Sequence, residues 1–422
     1  MDNRFSNIFN LTEDQAIALL KKPLHTEDGT SERYVGAAHL INFPSEKSIN
    51  ALIEAIEDHD PCLENRIARR KAVESLGRLK AVQALPILRT CLSDEDVLTV
   101  ENAVWSIGEI GTEDDSVLEA IALLLTKPNQ SYRVIIHTLA NFDYKPAVER
   151  IKPFALNDDE PIKSAAIASL ARLTGDNSEM ERVVELLQSD DINARRACIQ
   201  DLIDVEYYPA IDAIAVAPIS VAFRLRGIRL LAAKGIGSGK ITFAEVESSL
   251  DRIIRDRPQD IEMVHEYDQP PALDFLIREL YHTDFGRCYL ADKTLLERYS
   301  SQAPDALLKT YAEEANNDYG AHFHVVKLLG LLKHQPSYNL IVEALHNTSP
   351  QFQKSRAAAA IALGNIGATQ AIPLLKETLT TPIFDLKYAC LLALEQLGES
   401  CWSEVADDKN LLIKAKANHK LS

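Results

Sequence analysis

The sequence lacks the marks of a disulfide-rich, zinc-binding or membrane-spanning protein. It has six cysteines in 422 residues, none of them in a CxxC pair, so neither a disulfide framework nor a zinc site is indicated. No stretch approaches the roughly 18 uninterrupted apolar residues that a membrane span needs. The first residues, MDNRFSNIFNLTEDQ, carry neither the basic nor the apolar region of a secretory signal. We therefore expect a soluble, cytoplasmic protein with reduced thiols and no metal.

An excess of basic residues is also missing. The chain has 45 Lys and Arg against 62 Asp and Glu, which gives a formal net charge of −17 and a pI near 5.2. An acidic surface repels phosphate backbones and anionic lipid, so we expect neither nucleic acid nor a membrane as the main partner. The alternation of apolar and polar residues that is typical of strands is absent too, which leaves an all-α protein.

What the chain does contain is a repeat. The segment AVQALPILRTCL (81–92) recurs as ATQAIPLLKETL (368–379), and the helical pattern before each copy matches as well, AVESLG (72–77) against AIALG (360–364). The apolar positions that anchor successive copies are spaced 31, 32, 31 and 32 residues apart: Leu76, Ile107, Leu139, Leu170 and Leu202. Two short helices and two tight turns fit this length.

Small and acidic residues fall at regular places in this repeat. Gly77 and Gly108 let neighbouring helices approach closely, while the acid-rich turns SDED (93–96) and NDDEP (157–161) can cap the helices that follow them. The pattern predicts an α-solenoid of HEAT-like helical repeats, a right-handed superhelix with a concave binding face.

The repeat is not uniform along the chain, and its changes suggest five segments. We expect an N-terminal helical cap at 1–30 and HEAT-like repeats at 31–235. The unit length is lost at 236–320, which we interpret as an irregular helical region that forms part of a binding pocket. Repeats resume at 321–400, and a C-terminal tail follows at 401–422.

Two short segments resemble known sites without meeting their requirements. GIGSGK (235–240) has Lys234 where a phosphate-binding loop needs glycine and Ile241 where it needs Ser or Thr, so we interpret it as a turn after a helix. His265 and Glu266 form the single His-Glu pair of the chain. The di-iron centre of the HEAT-repeat enzyme deoxyhypusine hydroxylase uses several such pairs, which excludes that chemistry here.

Five arginines open successive repeat helices: Arg195, Arg196, Arg224, Arg226 and Arg229. The favoured interpretation is that they form salt bridges with the acidic turns of the next repeat. The alternative is a cationic ladder on the concave face that receives carboxylates. Arg226 and Arg229 are three residues apart and therefore share a helix face, whereas Arg224 lies off it.

The segment NNDYGAHFHVV (316–326) places Asp318, Tyr319, His322 and His324 where the repeats resume. Asp318 and His322 are four residues apart and share a face if the segment is helical. A carboxylate beside a phenol and two imidazoles could orient and protonate a ligand. The alternative is an N-cap aspartate followed by ordinary packing.

The segment YHTDFGRCYLADKTLLERY (281–299) crowds aromatic and charged residues into nine positions where the repeat is broken. Asp284 and Arg287 are three apart and could pair on a solvated face. Aromatic rings with one carboxylate and one guanidinium also suit a planar, conjugated ligand that carries N–H donors and carboxylates.

These residues resemble those of a known family, the HEAT-repeat phycobilin lyases of the E/F type. The resemblance is carried by 281–299, by 318–324 and by the repeat turns around VWSIGEIG and RAAAAIALGNIG, and it covers nearly the whole chain. Members attach linear tetrapyrroles to cysteines of phycobiliproteins. The segment 281–299 is similar to that of long single-chain members that handle phycoerythrobilin, some of which isomerise it to phycourobilin.

The resemblance implies a partner, a substrate and roles for individual residues. The partner is a phycoerythrin subunit that supplies the acceptor cysteine, and the bilin is the substrate, with no cofactor. Asp318 and Tyr319 would be catalytic, and Cys288 only a small packing residue. The residues expected to bind the bilin are Tyr281, Asp284, Arg287, Tyr289, His322, His324, Arg226 and Arg229.

A second class of function fits composition and repeats equally well. A HEAT-repeat scaffold without enzymatic activity would bind a protein partner on its concave face. A HEAT-fold DNA glycosylase is disfavoured because the net charge of −17 repels DNA.

Overall fold

The fold is all-helical over the part of the chain that the structure describes. The structure is a computed structural model, which describes residues 10–24 and 32–422. Those residues form 24 α-helices joined by short turns, several of them 3-10 helical, with no strand among them. The chain divides into two compact units. The first ends at Glu179, and the second is Met180–Ser422. The predicted fold class is confirmed.

The first unit contains ten helices. They are α1 (Glu13–Leu20), α2 (Glu32–His39), α3 (Glu46–Glu57), α4 (Leu63–Arg78), α5 (Leu85–Cys91), α6 (Val97–Ile110), α7 (Asp115–Leu124), α8 (Tyr132–Asn141), α9 (Val148–Ile151) and α10 (Glu160–Thr174). The longer helices α4, α6, α8 and α10 pack side by side, and a shorter helix packs beside most of them. Of the predicted N-terminal cap, α1 packs on α2, while residues 1–9 and 25–30 lie outside the described residues.

The anchoring positions of the repeat form the core of this unit. Leu76, Ile107 and Leu139 are fully buried, and Leu170 is partly buried. Burial of an apolar side chain of this size contributes about 1.5–3 kcal/mol to the free energy of folding. The apolar residues that recur every 31 or 32 positions therefore stabilise the packing of one repeat on the next.

Glycine is required where the long helices touch. A Cβ atom on Gly77 would lie 2.5 Å from Ser106 Oγ, which itself donates to the carbonyl of Val73. A Cβ atom on Gly108 would lie 3.3 Å from Thr138. The predicted close approach is confirmed, most sharply at Gly77.

The acid-rich turns cap helices as predicted. The carboxylate of Asp96 accepts the N–H of Thr99 at the start of α6, and that of Asp159 accepts the N–H of Ile162 at the start of α10. A side-chain cap of this kind is typically worth about 1 kcal/mol.

The second unit contains fourteen helices. They are α11 (Glu181–Glu185), α12 (Ile192–Val205), α13 (Ile211–Val216), α14 (Val221–Gly237), α15 (Phe243–Arg255), α16 (Leu273–Glu279), α17 (Phe285–Arg298), α18 (Ala303–Thr310), α19 (Tyr319–Leu331), α20 (Tyr338–His346), α21 (Gln353–Asn365), α22 (Ile372–Thr378), α23 (Phe384–Gln396) and α24 (Leu411–Leu421). The helices α19, α21 and α23 pack side by side, and α15 packs on α14, α21, α23 and α24.

Two segments of irregular repeat length are well packed here. Of the turn predicted at 235–240, residues 235–237 form the end of α14 and the turn itself begins at Ser238, where Gly239 has a φ of +71° that favours glycine. The segment expected to be a C-terminal tail forms α24, which packs on α14 and α15. Its buried Lys416 lies 2.5 Å from Glu247 and 2.9 Å from Asp251. In the described ranges, no helix is both long and apolar enough to cross a membrane.

Candidate functional site

A cavity of about 460 Å³ lies within the second unit. Its walls come from α14, the end of α15, α19, α21 and the start of α23. Apolar side chains of α14 and α21 form much of the lining, and several charged groups face the same space. Concave, mostly apolar sites with a few charged groups are typical of small-molecule binding.

Two arginines of α14 line the cavity, Arg226 and Arg229. Their three-residue spacing puts them on one face, as predicted. Arg226 is exposed and donates to Gln200 Oε1 over 2.6 Å, and the Arg229 guanidinium lies 5.0 Å from the centre of the Phe384 ring. Neither forms an ion pair with a described residue, so both can receive an anion.

A buried charge network closes one side of the cavity around Asp256, the residue at the end of α15. Its carboxylate accepts hydrogen bonds from Arg224, from Lys327 Nζ at 3.0 Å and from the Tyr289 hydroxyl at 3.0 Å. Burial alone would raise the pKa of Asp256, but the charges of Lys327 and Arg224 outweigh it and lower the pKa to about 2. Asp256 is therefore a fixed anion committed to the protein.

The network continues away from the cavity to α17. Lys327 Nζ lies 2.8 Å from Asp292 Oδ2, which also accepts from His324 Nδ1 over 2.7 Å. Complete burial lowers the pKa of His324, so the ring is neutral and its proton sits on Nδ1, because a carboxylate can only accept. Two aspartates thus balance one arginine and one lysine in the interior.

Lys354 of α21 is half-buried, lines the cavity and differs from the buried cations Arg224 and Lys327. Its Nζ lies 4.4 Å from the ring centre of Phe285, 4.8 Å from that of Tyr319 and 5.4 Å from that of Phe323. It forms no ion pair within the described part of the chain. Burial lowers the pKa of Lys354 to about 8.

Asp385 supplies a second charged group at the edge of the same space. It lies at the start of α23, one repeat after Lys354, since 354 and 385 differ by the same 31 positions as the anchors Leu363 and Leu394. Burial raises the pKa of Asp385, and the charges of Arg229 and Arg356 offset only part of that rise.

The residues predicted in 281–299 lie behind the cavity instead of lining it. Tyr289 belongs to the charge network, and the hydroxyl of Tyr281 is bonded to Thr310 over 2.6 Å. Cys288 is fully buried, its thiol donates to the carbonyl of Glu279, and burial raises its pKa, which agrees with a packing role.

Asp284 and Arg287 do not pair with each other. Asp284 caps α17 through the N–H of Gly286 and binds Arg195 at 2.6 Å and His265 at 2.9 Å. Arg287 forms a bidentate salt bridge with Glu279, in which Nε and Nη2 donate to the two carboxylate oxygens at 2.9 and 2.8 Å. The predicted pairing was wrong because each group has a partner from another segment.

In 316–326 the capping alternative describes the geometry. Asp318 caps α19 by accepting the N–H groups of Gly320 and Ala321 at 2.8 and 2.7 Å. His322 is buried against Tyr311 and Phe352, and burial lowers its pKa to about 4. Tyr319, by contrast, is 53% exposed and lies beside Lys354.

The structure thus brings Arg226 and Arg229 to one cavity and places the other predicted residues around or away from it. A part in ligand binding stays a prediction for Tyr281, Asp284, Arg287, Tyr289, His322 and His324, and a catalytic role stays one for Asp318 and Tyr319. Of the arginine alternatives, Arg195 and Arg224 form salt bridges with aspartates, whereas Arg226 and Arg229 face the cavity.

Sequence reasoning missed Lys354 and Asp385. Both stand nine residues before an anchoring leucine, a position that is uncharged in the first unit, where it is Ile67, Leu98, Gln130 and Pro161. A charge at a position that is uncharged in the first unit was the signal that could have identified them.

Comparison with known proteins places this solenoid in a class. The model of HEAT repeats matches residues 62–133 and 305–395. A protein named "Uncharacterized phycocyanin operon protein Y" from Pseudanabaena tenuis is 57% identical over 99% of this chain and all of its own length. "Bilin biosynthesis protein CpeY" from Synechococcus sp. (strain WH8020) is 33% identical over 88% of this chain and 91% of its own.

Shorter relatives match part of the chain. "Phycocyanobilin lyase subunit alpha" from Picosynechococcus sp. is 29% identical over 53% of this chain and 86% of its own. The solved complex of CpcE and CpcF of phycocyanin lyase from Nostoc sp. PCC7120 is 27% identical, covering 58% of this chain and 95% of that one with a TM-score of 0.48. Because the full-length relatives match almost end to end, the chain belongs to the HEAT-repeat phycobilin lyases of the E/F type.

Proposed function

We propose that the protein is a bilin lyase that binds phycoerythrobilin in the cavity of the second unit and attaches it to a cysteine of a phycoerythrin subunit. The observation that carries the proposal is a mostly apolar cavity whose cations Arg226, Arg229 and Lys354 form no ion pair with a described residue, in a member of this family. A linear tetrapyrrole is planar, conjugated and apolar along its length, and it carries two propionates. Its shape and charge match such a lining.

The reaction needs no nucleophile from the lyase. The acceptor thiol adds across the exocyclic double bond of ring A, so that sulfur bonds to the ethylidene carbon and the proton goes to the adjoining ring carbon. No atom leaves and no electron is transferred to a third group. The buried Cys288 of the lyase has no part in this addition.

Positioning is the main contribution that we assign to the protein. A thiol adds to an exposed bilin without control of its stereochemistry, whereas one bound conformer presented to one cysteine reacts specifically. Arg226 and Arg229 hold propionate at the cavity wall. Asp385 accepts hydrogen bonds from pyrrole N–H groups and favours the protonated, more electrophilic ring system.

Isomerisation to phycourobilin would require a proton to be removed and returned at two carbons. Tyr319 is the candidate for this step, since it is half exposed and lies beside Lys354 of the cavity. We assign Asp318 to holding the first turn of α19, and hence the Tyr319 backbone, in place.

A cavity-filling variant tests the proposal. Purified protein mixed with phycoerythrobilin should become coloured with a shifted absorption band, and co-expression with a phycoerythrin subunit should give a labelled cysteine peptide by mass. Ala358→Trp, which fills the cavity, should abolish both signals. Leu98→Trp, on an exposed position of the first unit, is the matched control and should keep them.

The rival function, a scaffold without activity, predicts a different result. It would bind the subunit with no change in the bilin spectrum, and Ala358→Trp would leave this binding intact. An unchanged spectrum together with unlabelled subunits would overturn the lyase proposal.

A further inference from the structure

Lys354 forms no ion pair with any carboxylate in the part of the chain that the structure describes. Three aromatic rings surround its ammonium at 4.4 to 5.4 Å, yet no described carboxylate lies within ion-pair distance. Ring faces offset only part of the cost of removing an ammonium from water. The ammonium group of Lys354 therefore faces an open cavity, with aromatic rings around it but no carboxylate of the described residues within ion-pair distance.

The neighbouring cation Lys327, unlike Lys354, has carboxylate partners. Lys327, in the same cavity wall, is neutralised by Asp256 and Asp292 at 3.0 and 2.8 Å. Asp385 stands one repeat further along without pairing with Lys354. Both aspartates nearest to Lys327 are already engaged, so neither can turn to Lys354 without leaving another cation unpaired.

The repeat itself does not require a charge at this position. The equivalent residues of the first unit are Ile67, Leu98, Gln130 and Pro161, and none of them carries a charge. A lysine that faces a cavity, at a position that is uncharged in the repeats of the first unit, is explained by what enters the cavity.

We propose that Lys354 is a specificity-determining residue that binds a carboxylate of the ligand inside the cavity and so fixes which end of the ligand lies deepest. The inference rests on the proposed function, in which that carboxylate is one propionate of the bilin. The exposed Arg226 and the half-buried Arg229 take the other propionate. An ion pair formed at Lys354 is less screened by water than one at Arg226, so it contributes more to orientation.

The test compares two ligands and three proteins. Phycoerythrobilin and its dimethyl ester, in which both propionates are uncharged, are titrated into wild type, Lys354→Met and Lys309→Met by absorption. Lys309 is an exposed lysine of the same unit outside the cavity and controls for the loss of one positive charge. Lys354→Met should weaken binding of the diacid roughly tenfold or more, while the affinity for the ester stays unchanged.

The outcomes separate the two proposals. If Lys354→Met loses the same factor for diacid and ester, or nothing for either, Lys354 has only a packing role and this inference is overturned while bilin binding stands. If wild type binds neither ligand, the proposed function itself fails. Should Lys354→Met unfold, Lys354→Arg keeps the charge, and it must retain the preference of wild type for the diacid.

Discussion

Buried arginines of the two units occupy the same position of the repeat and reach different partners. Each stands seven residues before a buried leucine, as Arg33 and Arg69 do in the first unit. Both donate Nε to a carbonyl 13 residues earlier and Nη2 to an aspartate 25 residues later, Asp58 for Arg33 and Asp94 for Arg69. In the first unit this contact simply joins one repeat to the next.

In the second unit, the arginines at the equivalent position of the repeat have partners in more distant parts of the chain. Arg195 reaches Asp284, 89 residues ahead, and Arg224 reaches Asp256 together with Tyr289. The partners come from the segment where the unit length is lost. Where the repeat is interrupted, the arginines therefore keep their positions and bind other aspartates. One of these aspartates, Asp256, puts a fixed charge at the cavity wall.

The largest effect that follows from this comparison is expected at Asp256. Asp256→Asn leaves the buried Arg224 and Lys327 short of one counter-charge, which should destabilise the second unit by about 3–5 kcal/mol. Asp58→Asn removes a more exposed partner in the first unit and should cost less than about 1 kcal/mol.

The two tryptophans allow each unit to be followed separately. Trp105 lies in the first unit and Trp402 in the second, so Trp402→Phe and Trp105→Phe backgrounds report one unit each by fluorescence in urea. Equal losses for the two aspartate variants would contradict the difference between the units.

A smaller effect is expected from acid. His322 is held neutral by burial, with its pKa lowered from 6.5 to about 4. The unfolded chain takes up this proton at a higher pH than the folded chain does. The stability that the neutral ring contributes is therefore complete above pH 6.5 and is lost as the pH falls towards 4.

Urea unfolding between pH 7 and pH 4, followed by Trp402, measures this loss in the second unit. His322→Phe has no titratable ring and still packs between Tyr311 and Phe352, so its stability should fall less over the same range. A curve for His322→Phe that parallels wild type would show that another group governs the acid response.

The fold was predictable because it depends on a spacing. Apolar residues every 31 or 32 positions determine which helix faces are buried, and the sequence displays them directly. The shared face of Arg226 and Arg229 followed from helix geometry in the same way. The cap at Asp318 was local too, and the residues alone left open whether Asp318 caps a helix or binds a ligand, whereas the cap at Asp284 was not predicted.

The charge network was not predictable because it depends on long-range pairing. Nothing in the residues around Asp284 shows that Arg195 will be its partner, and Asp256 carries no local signal of a lysine 71 positions later. Lys354 and Asp385 are an intermediate case. Their register could have been read, but only the packing of α15 against α21 and α23 shows that a cavity lies beside them.

The smallest effect is expected at the rim of the cavity. Arg226 is exposed, so water and salt screen its attraction for a carboxylate, and Arg226→Gln should weaken phycoerythrobilin binding only about two- to threefold. The loss should shrink further in high salt, whereas the loss in Lys354→Met should persist. Arg278→Gln, at an exposed arginine away from the cavity, is the matched control. Titrations at two salt concentrations measure the difference, and a loss at Arg226 as large and as salt-resistant as that at Lys354 would mean that depth of burial does not rank the cations of the second unit.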